Sequence, residues 1–420
     1  MNTDEHRLTW VLVGAIGLCG GAAHAGGPPE YEVTAVIEGF QCGDHLAAVT
    51  AFALNDSGDV AGFVTCNLVQ RAFRWTADTG LELVPMPPQT TQSWALAING
   101  SKVVGYHVIS GDKFGDLGFL YDFETDQFTS LGTLPGGNTS DAHAINSAGE
   151  IVGFWGDVVN GPFPQAFIWR DGEMIDIHPD FGTPRSRACD INANSQATGW
   201  MGQAPQTDAR AFIWDDGKVT ELPPIPGGFT SEGEAISNCG QVAGHGRKVD
   251  GEGLLLVRAF LWNKQEMLEL GTLPGFIWSA SLGMTPDGSQ IVGQSWNMDG
   301  NPNIRRGFVW SDGVMRDLND LIGPNGDLDM ETAVGINHAG QIIARGHSND
   351  LNATVGILLS PLQQSITGDL DNDGQVGASD LLILLSNWGP CEDCAACAAD
   401  LDGNGVVGAS DLLILLSNWG

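Results

Sequence analysis

A repeat of about 48 residues, a length typical of propellers and solenoids, runs from Tyr31 to Leu362. An Asn-x-x-Gly phrase marks each copy, and Ala or Gly followed by Phe-x-Trp comes a little later in the same copy. The turn phrase is clearest at Asn55, Asn146, Asn192 and Asn337, with looser copies at Asn99, Ser237 and Thr285. The Phe positions are Phe73, Phe119, Phe167, Phe212, Phe260 and Phe308, with a worn seventh copy from Gly356 to Leu359.

Each copy of the repeat predicts four antiparallel strands. Apolar segments flank the Asn-x-x-Gly turn, which is a hairpin signal. Asp-Gly pairs, such as Asp171 with Gly172, then join the Phe-x-Trp strand to a fourth strand. Four strands in about 48 residues are the size of one propeller blade. The predicted fold class is therefore mainly β, a seven-bladed β-propeller.

The phase of the repeat predicts how the ring closes. The seventh copy supplies three strands and reaches Pro361, whereas the segment from Tyr31 to Glu38 is a fourth-type strand with no blade before it. Pairing this N-terminal strand with the seventh copy would close the ring and remove two exposed sheet edges. A solenoid is the alternative, and it would leave the N-terminal strand without a partner.

Two acidic ladders lie near the C-terminus, and the same phrase, VGASDLLILLSNWG, follows each ladder. Oxygen ligands at loop positions 1, 3, 5 and 12, with glycine at position 6, are typical of a calcium loop. The predicted side-chain ligands are Asp369, Asp371, Asp373 and Asp380 in the first loop, and Asp400, Asp402, Asn404 and Asp411 in the second. The backbone carbonyls of Gln375 and Val406 are predicted to complete the two sites, so we expect two calcium ions.

The phrase after each ladder has Leu and Trp at helical spacing. We therefore expect a small all-α pair whose helices bury these apolar faces against each other. A solvated acidic tail is the alternative, but such a tail would be poor in Leu and Trp.

Residues 368–420 resemble the dockerin type I module, a duplicated calcium loop and helix, and share its Asp at position 12 of each loop. The resemblance implies a small calcium-dependent domain that docks onto a cohesin-like receptor or another cell-surface component. The positions that usually face the receptor hold Ala378, Ser379, Ala409 and Ser410. The linker CEDCAAC between the loops is foreign to most dockerins.

The repeats of residues 31–362 resemble the extracellular HAF repeat family, which is named for a His-Ala-Phe tripeptide. The Ala-Phe or Gly-Phe part is kept here, and the first position holds Arg71, Leu117, Gln165, Arg210, Arg258 and Arg306. The resemblance implies an exported protein of this architecture and supplies no catalytic residue.

The N-terminal segment predicts export. An apolar stretch from Leu8 to Leu18 precedes Ala23, His24 and Ala25, a motif that fits a signal peptidase site. A lipid anchor at Cys19 is a minor alternative. We therefore divide the chain into a signal peptide (1–25), a propeller (26–364) and a calcium module (365–420). No later segment is apolar over the roughly 18 residues that a spanning helix requires.

The charge of the chain bears on its partners. Its 51 Asp and Glu residues against 18 Lys and Arg residues give a formal net charge of −33. Such a surface repels nucleic acid and anionic membranes, so we expect neither as a partner.

Cys42 and Cys66 are predicted to lie in neighbouring connections on one face of the ring, which makes them the best disulfide candidate in an exported protein. The pairing of the remaining cysteines stays open at this point: Cys189, Cys239, Cys391, Cys394 and Cys397.

The propeller contains no recognisable catalytic motif, and its repeated Asn and Asp residues suit turns. Aromatic residues predicted in loops and connections of one face could stack on a sugar or polysaccharide: Trp94, Trp155, Trp200, Trp278 and Trp296. Packing between blades is the alternative for these rings. We expect a secreted or cell-surface binding or scaffold protein without catalytic activity. A secreted carbohydrate-active enzyme, a glycosidase or lyase with the same tail, is the alternative.

Overall fold

The structure is a computed structural model. It describes residues 30–110, 115–157, 164–178, 183–203, 207–297, 304–323, 328–362, 367–370, 375–391 and 397–419. Within these residues seven four-stranded antiparallel sheets form the blades of a β-propeller, and the predicted fold class is confirmed. No helix in the described ranges has the length and apolar character needed to cross a membrane.

An entry segment precedes the blades: β1 (Tyr31–Ile37), β2 (Gln41–Cys42) and β3 (His45–Leu46). Blade one contains β4 (Ala48–Leu54), β5 (Val60–Cys66), β6 (Val69–Thr76) and β7 (Gly80–Leu83). Blade two contains β8 (Thr90–Asn99), β9 (Lys102–Ile109), β10 (Asp116–Asp122) and β11 (Gln127–Ser130). Blade three contains β12 (Thr139–Ile145), β13 (Ile151–Gly156), β14 (Gln165–Arg170) and β15 (Glu173–Asp176).

Blade four contains β16 (Arg185–Ile191), β17 (Ala197–Gly202), β18 (Arg210–Asp215) and β19 (Lys218–Glu221). Blade five contains β20 (Glu232–Ile236), β21 (Val242–Val249), β22 (Leu255–Trp262) and β23 (Met267–Gly271). Blade six contains β24 (Trp278–Met284), β25 (Ile291–Trp296), β26 (Arg305–Ser311) and β27 (Val314–Asp317), and it is followed by α1 (Leu318–Leu321). Blade seven contains β28 (Leu328–Ile336), β29 (Ile342–Ser348) and β30 (Ala353–Pro361).

The fourth strand of blade seven is β1, as the phase of the repeat predicted. It pairs antiparallel with β30, from Tyr31 opposite Pro361 to Ile37 opposite Gly356. The side chain of Arg316 in blade six forms an ion pair with Glu30, with 2.7 Å between Nη1 and Oε2. The two ends of the propeller sequence therefore share one sheet, which closes the ring.

The first strand of each blade lies nearest the axis of the ring. These first strands (β4, β8, β12, β16, β20, β24 and β28) contact one another in sequence, and β28 contacts β4. We call the space that they enclose the central channel.

Polar side chains join neighbouring blades. The turn residue Asn192 accepts hydrogen bonds at Oδ1 from the N–H groups of Asn194 and Gln196, and its Nδ2 donates to the carbonyl of Ser237 in blade five at 2.8 Å. The same inter-blade donation occurs at Asn55, Asn146 and Asn337. The repeated Asn is therefore both a turn residue and a tie between blades.

The short Ala/Gly-Phe phrase has a packing reason. The Phe side chains are fully buried at Phe73, Phe119, Phe167, Phe212, Phe260 and Phe308. A small residue precedes each ring, and in five blades its N–H donates to a buried Ser hydroxyl of the next blade. Ala166, for example, donates to Ser186 at 2.9 Å. The equivalent acceptors are Ser93, Ser140, Ser231 and Ser279. Blades one to five thus each bury one ring and one satisfied polar contact against the next blade.

The C-terminal module contains α2 (Ala378–Ser386), β31 (Gly389–Pro390), β32 (Val406–Val407) and α3 (Ala409–Ser417). The strands β31 and β32 pair antiparallel, and the two helices contact each other. The module has its own small core, formed by Val376, Leu384, Ala399, Leu401, Val407 and Leu415.

Candidate metal centre and ligand positions

The second loop of the C-terminal module brings three carboxylates together. Ligand oxygens of Asp400, Asp402 and Asp411 all lie within 4.8 Å of one another. The Asp400 carboxylate accepts hydrogen bonds from the N–H groups of Asn404 at 3.1 Å and Gly405 at 2.7 Å, which curl the loop around it. Gly405 has a φ of 85°, a conformation that glycine adopts without strain.

Asp411 connects the loop to the helix behind it. Its carboxylate is fully buried and accepts from the N–H groups of Leu401 at 2.7 Å, Asp402 at 3.1 Å and Gly408 at 2.7 Å. A carboxylate in the first turn also suits the positive end of α3. The side chain at position 12 therefore fixes both the loop and the start of the helix.

The first loop repeats this arrangement where it is described. Asp380 is fully buried and accepts from the N–H groups of Leu370 at 2.6 Å and Gly377 at 2.7 Å. Asp371 and Asp373, two of the predicted ligands, lie outside the described residues, whereas Asp369 and Gln375 lie within them. Val406, whose carbonyl we predict as a ligand, lies in β32 of the second loop.

The donor set of the second loop fits a hard divalent cation. The pKa of Asp400 is raised to about 6, chiefly by burial and then by the carboxylates of Asp411 and Asp402, although the hydrogen bond from the N–H of Gly405 opposes the rise. The sequence has no Lys or Arg after Arg345, so no basic side chain of the module can offset these charges. A calcium ion would supply the missing positive charge to oxygen ligands of the kind it prefers.

The two helices bury less of their apolar surface than the sequence predicts. Leu384 and Leu415 are fully buried in the module core. However, a stripe along each helix and just beyond its end remains exposed: Leu382, Leu385 and Trp388 in the first copy, and Leu413, Leu416 and Trp419 in the second. The expectation that the helices cover each other's apolar faces is corrected, because each nine-residue helix turns only part of its apolar face towards the module core.

The second loop also contacts the propeller. Nδ2 of Asn194, in a blade-four turn, donates to the carbonyl of Asn404 at 3.2 Å. Gly403 is buried, and a methyl group added there would lie 3.1 Å from Nδ2 of Asn238 in the corresponding turn of blade five. The calcium module therefore sits on the Asn-x-x-Gly side of the ring through its second loop.

The cysteines fall into distinct groups. Cys42 and Cys66 form a disulfide bond that ties the entry segment to blade one. Cys391 and Cys397 form a second bond in the linker. Cys239 is also disulfide-bonded, whereas Cys189 is free. Cys394 lies outside the described residues.

The five candidate tryptophans lie in strands and not in loops, so their predicted placement is corrected. Trp155 and Trp200 are 5% and 8% exposed and pack within the ring. Trp278 and Trp296 stack on each other across β24 and β25, with ring centroids 6.2 Å apart. Trp94 stacks on Tyr106 at 4.5 Å. Trp155, Trp200 and Trp296 lie near the ends of second strands, whereas Trp94 and Trp278 lie in first strands.

Comparison with known proteins identifies the C-terminal module. Residues 367–418 match the dockerin type I domain, a class of domain that binds calcium and cohesins. The chain thus carries a dockerin type I domain C-terminal to its propeller. No curated protein matches the sequence.

Solved structures resemble the propeller at low sequence identity. A prolyl endopeptidase is 9% identical with a TM-score of 0.49, over 76% of this chain and 51% of that one. The propeller domain of the Trilobed protease from Pyrococcus furiosus is 11% identical with a TM-score of 0.49, over 76% of this chain and 98% of that one. An oligogalacturonate lyase from Vibrio parahaemolyticus is 10% identical with a TM-score of 0.48, over 81% and 100%. The chain spans about half the length of the prolyl endopeptidase.

Proposed function

We propose that this chain is an exported propeller that binds or scaffolds other molecules without catalysis and is tethered through its calcium-binding dockerin domain. The observation that carries the proposal is the pair of exposed apolar stripes on α2 and α3. Leu382 is 72% exposed in the first copy, and Leu413 is 68% exposed in the second. Exposed apolar groups at matching positions of two identical helices suit a protein partner.

Calcium would act on these stripes through the position-12 carboxylates. Asp380 and Asp411 each hold a loop and a helix start together through backbone hydrogen bonds. A cation bound to the same carboxylates would offset their repulsion and fix the angle of each helix. We propose two ions, one for each loop, and a cohesin-like receptor as the partner that covers a stripe.

Export is part of the proposal. The segment 1–25 has the pattern of a cleaved signal peptide, and it lies outside the described residues. Dockerin-bearing proteins act outside the cell or at its surface. The disulfides of the propeller and the linker suit the same oxidising environment.

Binding of the full chain to immobilised type I cohesin domains, with calcium or with chelator, tests the tether. We expect calcium-dependent binding that survives Leu382→Glu or Leu413→Glu alone, because the other stripe remains, and that is lost in the double variant. Val314→Glu is a matched control, since Val314 is an exposed apolar residue of the propeller, and it should bind as the unaltered chain does. Binding that persists in the double variant, or no binding to any cohesin domain, would contradict the proposal.

A further inference from the structure

The first strand of each blade carries a β-bulge at the same place. The register of β12 and β13 skips one residue between Ala142 and Ala144, so His143 has no partner in the ladder. The equivalent unpaired residues are Phe52, Leu96, Cys189, Glu234, Leu282 and, in blade seven, Val334. Each is the third residue before the turn position that Asn usually occupies. A bulge turns its extra side chain out of the sheet pattern.

Two further residues lie near each bulge, one on the first strand of the blade and one on the second. The residue two before the bulge on the first strand pairs with one residue of the second strand, as Asp141 pairs with Phe154. The other pairs are Thr50 with Phe63, Trp94 with Tyr106, Arg187 with Trp200, Glu232 with His245, Ala280 with Gln294 and Thr332 with Arg345. Most of these side chains remain partly exposed. Because they lie on the innermost strands, the open space that they face is the central channel.

The charged groups gather on one side of this channel, in blades three to five. Arg187 is central to them: its Nη2 lies 2.9 Å from Nε2 of His143, and its guanidinium lies over the ring of Phe154 at 5.6 Å. In blade five, His245 lies 3.7 Å from Glu234 and 3.8 Å from Glu232. The contacts of Arg187 join blades three and four, those of His245 lie within blade five, and the charge of Arg187 also opposes the rise that burial causes in the pKa of Glu234 in blade five.

Several polar atoms of the channel are buried without a hydrogen-bond partner. They are Oδ1 of Asp141, Nε of Arg187, Nδ1 of His245 and Nε of Arg345. In addition, no carboxylate of the described residues lies within 4.0 Å of the Arg187 guanidinium. Nη2 of Arg187 contacts His143, but Nε has no partner, which is costly. The guanidinium charge therefore remains suited to an anion. The protein therefore supplies one half of several hydrogen bonds that a ligand can complete.

The surroundings select the kind of anion. Burial raises the pKa of Asp141 to about 7, and burial also raises the pKa of Glu234. These acids would repel a doubly charged phosphate, but they can exchange hydrogen bonds with hydroxyl groups. A ligand with one carboxylate and neighbouring hydroxyl groups carries less negative charge than phosphate and can form these hydrogen bonds.

The other side of the channel is aromatic. Trp94 stacks on Tyr106 at 4.5 Å and meets the edge of Phe63 at 6.4 Å. Arg345 lies over the ring of Phe52 at 4.7 Å. Aromatic faces pack well against the apolar faces of sugar rings, so the channel offers a ring-binding wall opposite the anion-binding one.

We propose that the central channel binds a small hydroxylated carboxylate of the uronic acid type. Arg187 holds the carboxylate, Asp141 and His245 contact hydroxyl groups, and Trp94 faces the ring. This inference rests on the proposed binding role of the propeller and names the class of ligand. It does not depend on the dockerin domain.

Titration calorimetry of the full chain with glucuronate, glucose and inorganic phosphate tests the inference. We expect glucuronate to bind and the other two to bind at least about tenfold more weakly, since glucose lacks the carboxylate and phosphate lacks the hydroxylated ring. Arg187→Gln should weaken glucuronate binding at least about tenfold. Arg210→Gln is the matched control on the outer part of blade four and should leave binding unchanged.

Thermal melting of each variant separates lost binding from lost folding, and Trp94→Leu, on the opposite wall, provides a second test if Arg187→Gln does not fold. The site is overturned if glucuronate does not bind, or binds equally well to folded Arg187→Gln and Trp94→Leu. Repeating the titration in chelator distinguishes the two proposals, because loss of cohesin binding alone leaves the channel result intact. Conversion of glucuronate to a product would overturn the non-catalytic role and support the site.

Discussion

The chain contains two kinds of repeat, and they differ in where their copies diverge. In the calcium module the two helices are identical, including the exposed Leu382 and Leu413. In the propeller the turn and core positions recur, whereas the bulge position changes from Phe52 to His143 to Glu234. A surface with two equal copies suits a partner that can use either copy. A ring of unequal positions suits one asymmetric ligand, which contacts different blades through different groups.

The largest effect should come from removing calcium. With chelator we expect residues 368–420 to unfold and the propeller to remain folded, because the carboxylates of the module repel each other without a cation. Calorimetry of the full chain should show the module transition disappear while the propeller transition stays. One cooperative transition that chelator does not affect would show that the two repeat systems fold as a unit.

If the two helices of the module are equivalent, truncating the same buried side chain in each should lower the stability of the module equally. Leu384→Ala should cost about 2–5 kcal/mol of module stability, and Leu415→Ala should cost a similar amount, because both side chains are fully buried. Chemical unfolding with calcium present measures both. The exposed Leu382→Ala is the control and should change stability by less than about 0.5 kcal/mol. Unequal costs at Leu384 and Leu415 would mean that contact with the propeller makes the copies different.

The link between the two regions predicts a third disulfide. Cys239 is disulfide-bonded, it follows Asn238, and Asn238 contacts Gly403 of the second loop. We expect peptide mapping under non-reducing conditions to join Cys239 to Cys394. Cys239→Ser should then destabilise the module by about 2–4 kcal/mol. Cys189→Ser, at the free cysteine, should leave the map unchanged, and a Cys239 peptide without a linker partner would refute the pairing.

The repeated turn Asn of the propeller should contribute to stability through its side-chain N–H donor, which bonds the next blade. Asn192→Asp keeps the acceptor for the turn but loses the donor to Ser237, so we expect a cost of about 1–3 kcal/mol. The control is Asn263→Ala, since Asn263 accepts from the N–H groups of Gln265 and Glu266 within its own turn. Denaturant unfolding should rank Asn192→Asp as the more costly. Equal costs would reduce the repeated Asn to a turn residue.

The smallest effect concerns a channel position. Burial and the neighbouring Asp116 raise the pKa of Asp141 from 3.8 to about 7, while Arg187 opposes the rise. The folded state therefore loses stability as the pH rises from about 4 to about 7, because the unfolded chain ionises first. Asp141→Asn should be more stable than the unaltered chain by about 1–2 kcal/mol at pH 8, allowing for partial solvent exposure, and the gain should shrink towards pH 4. A gain that does not change with pH would exclude the carboxyl group as its cause.

Much of this arrangement was predictable from local patterns. The period of the repeat and the leftover strand at Tyr31 predicted the blades and their closure, because both depend on strand order alone. The acidic ladders predicted the dockerin loops, since all ligands of one loop lie within twelve residues. The channel cluster was missed because Arg187 and His143 are 44 residues apart and meet across two blades. Aligning the copies at the third position before the turn would have found the bulge residues.

The sequence by itself determined the repeat, the ring closure and the calcium-loop pattern, because each follows from spacing along the chain. The tertiary structure decided which side chains share the channel, since residues such as Arg187 and His143 meet only where two blades pack together. It also decided that Trp155 and Trp200 are buried and that Leu382 and Leu413 are exposed. Burial depends on what packs opposite a residue, and in a ring of blades that neighbour is supplied by a distant copy.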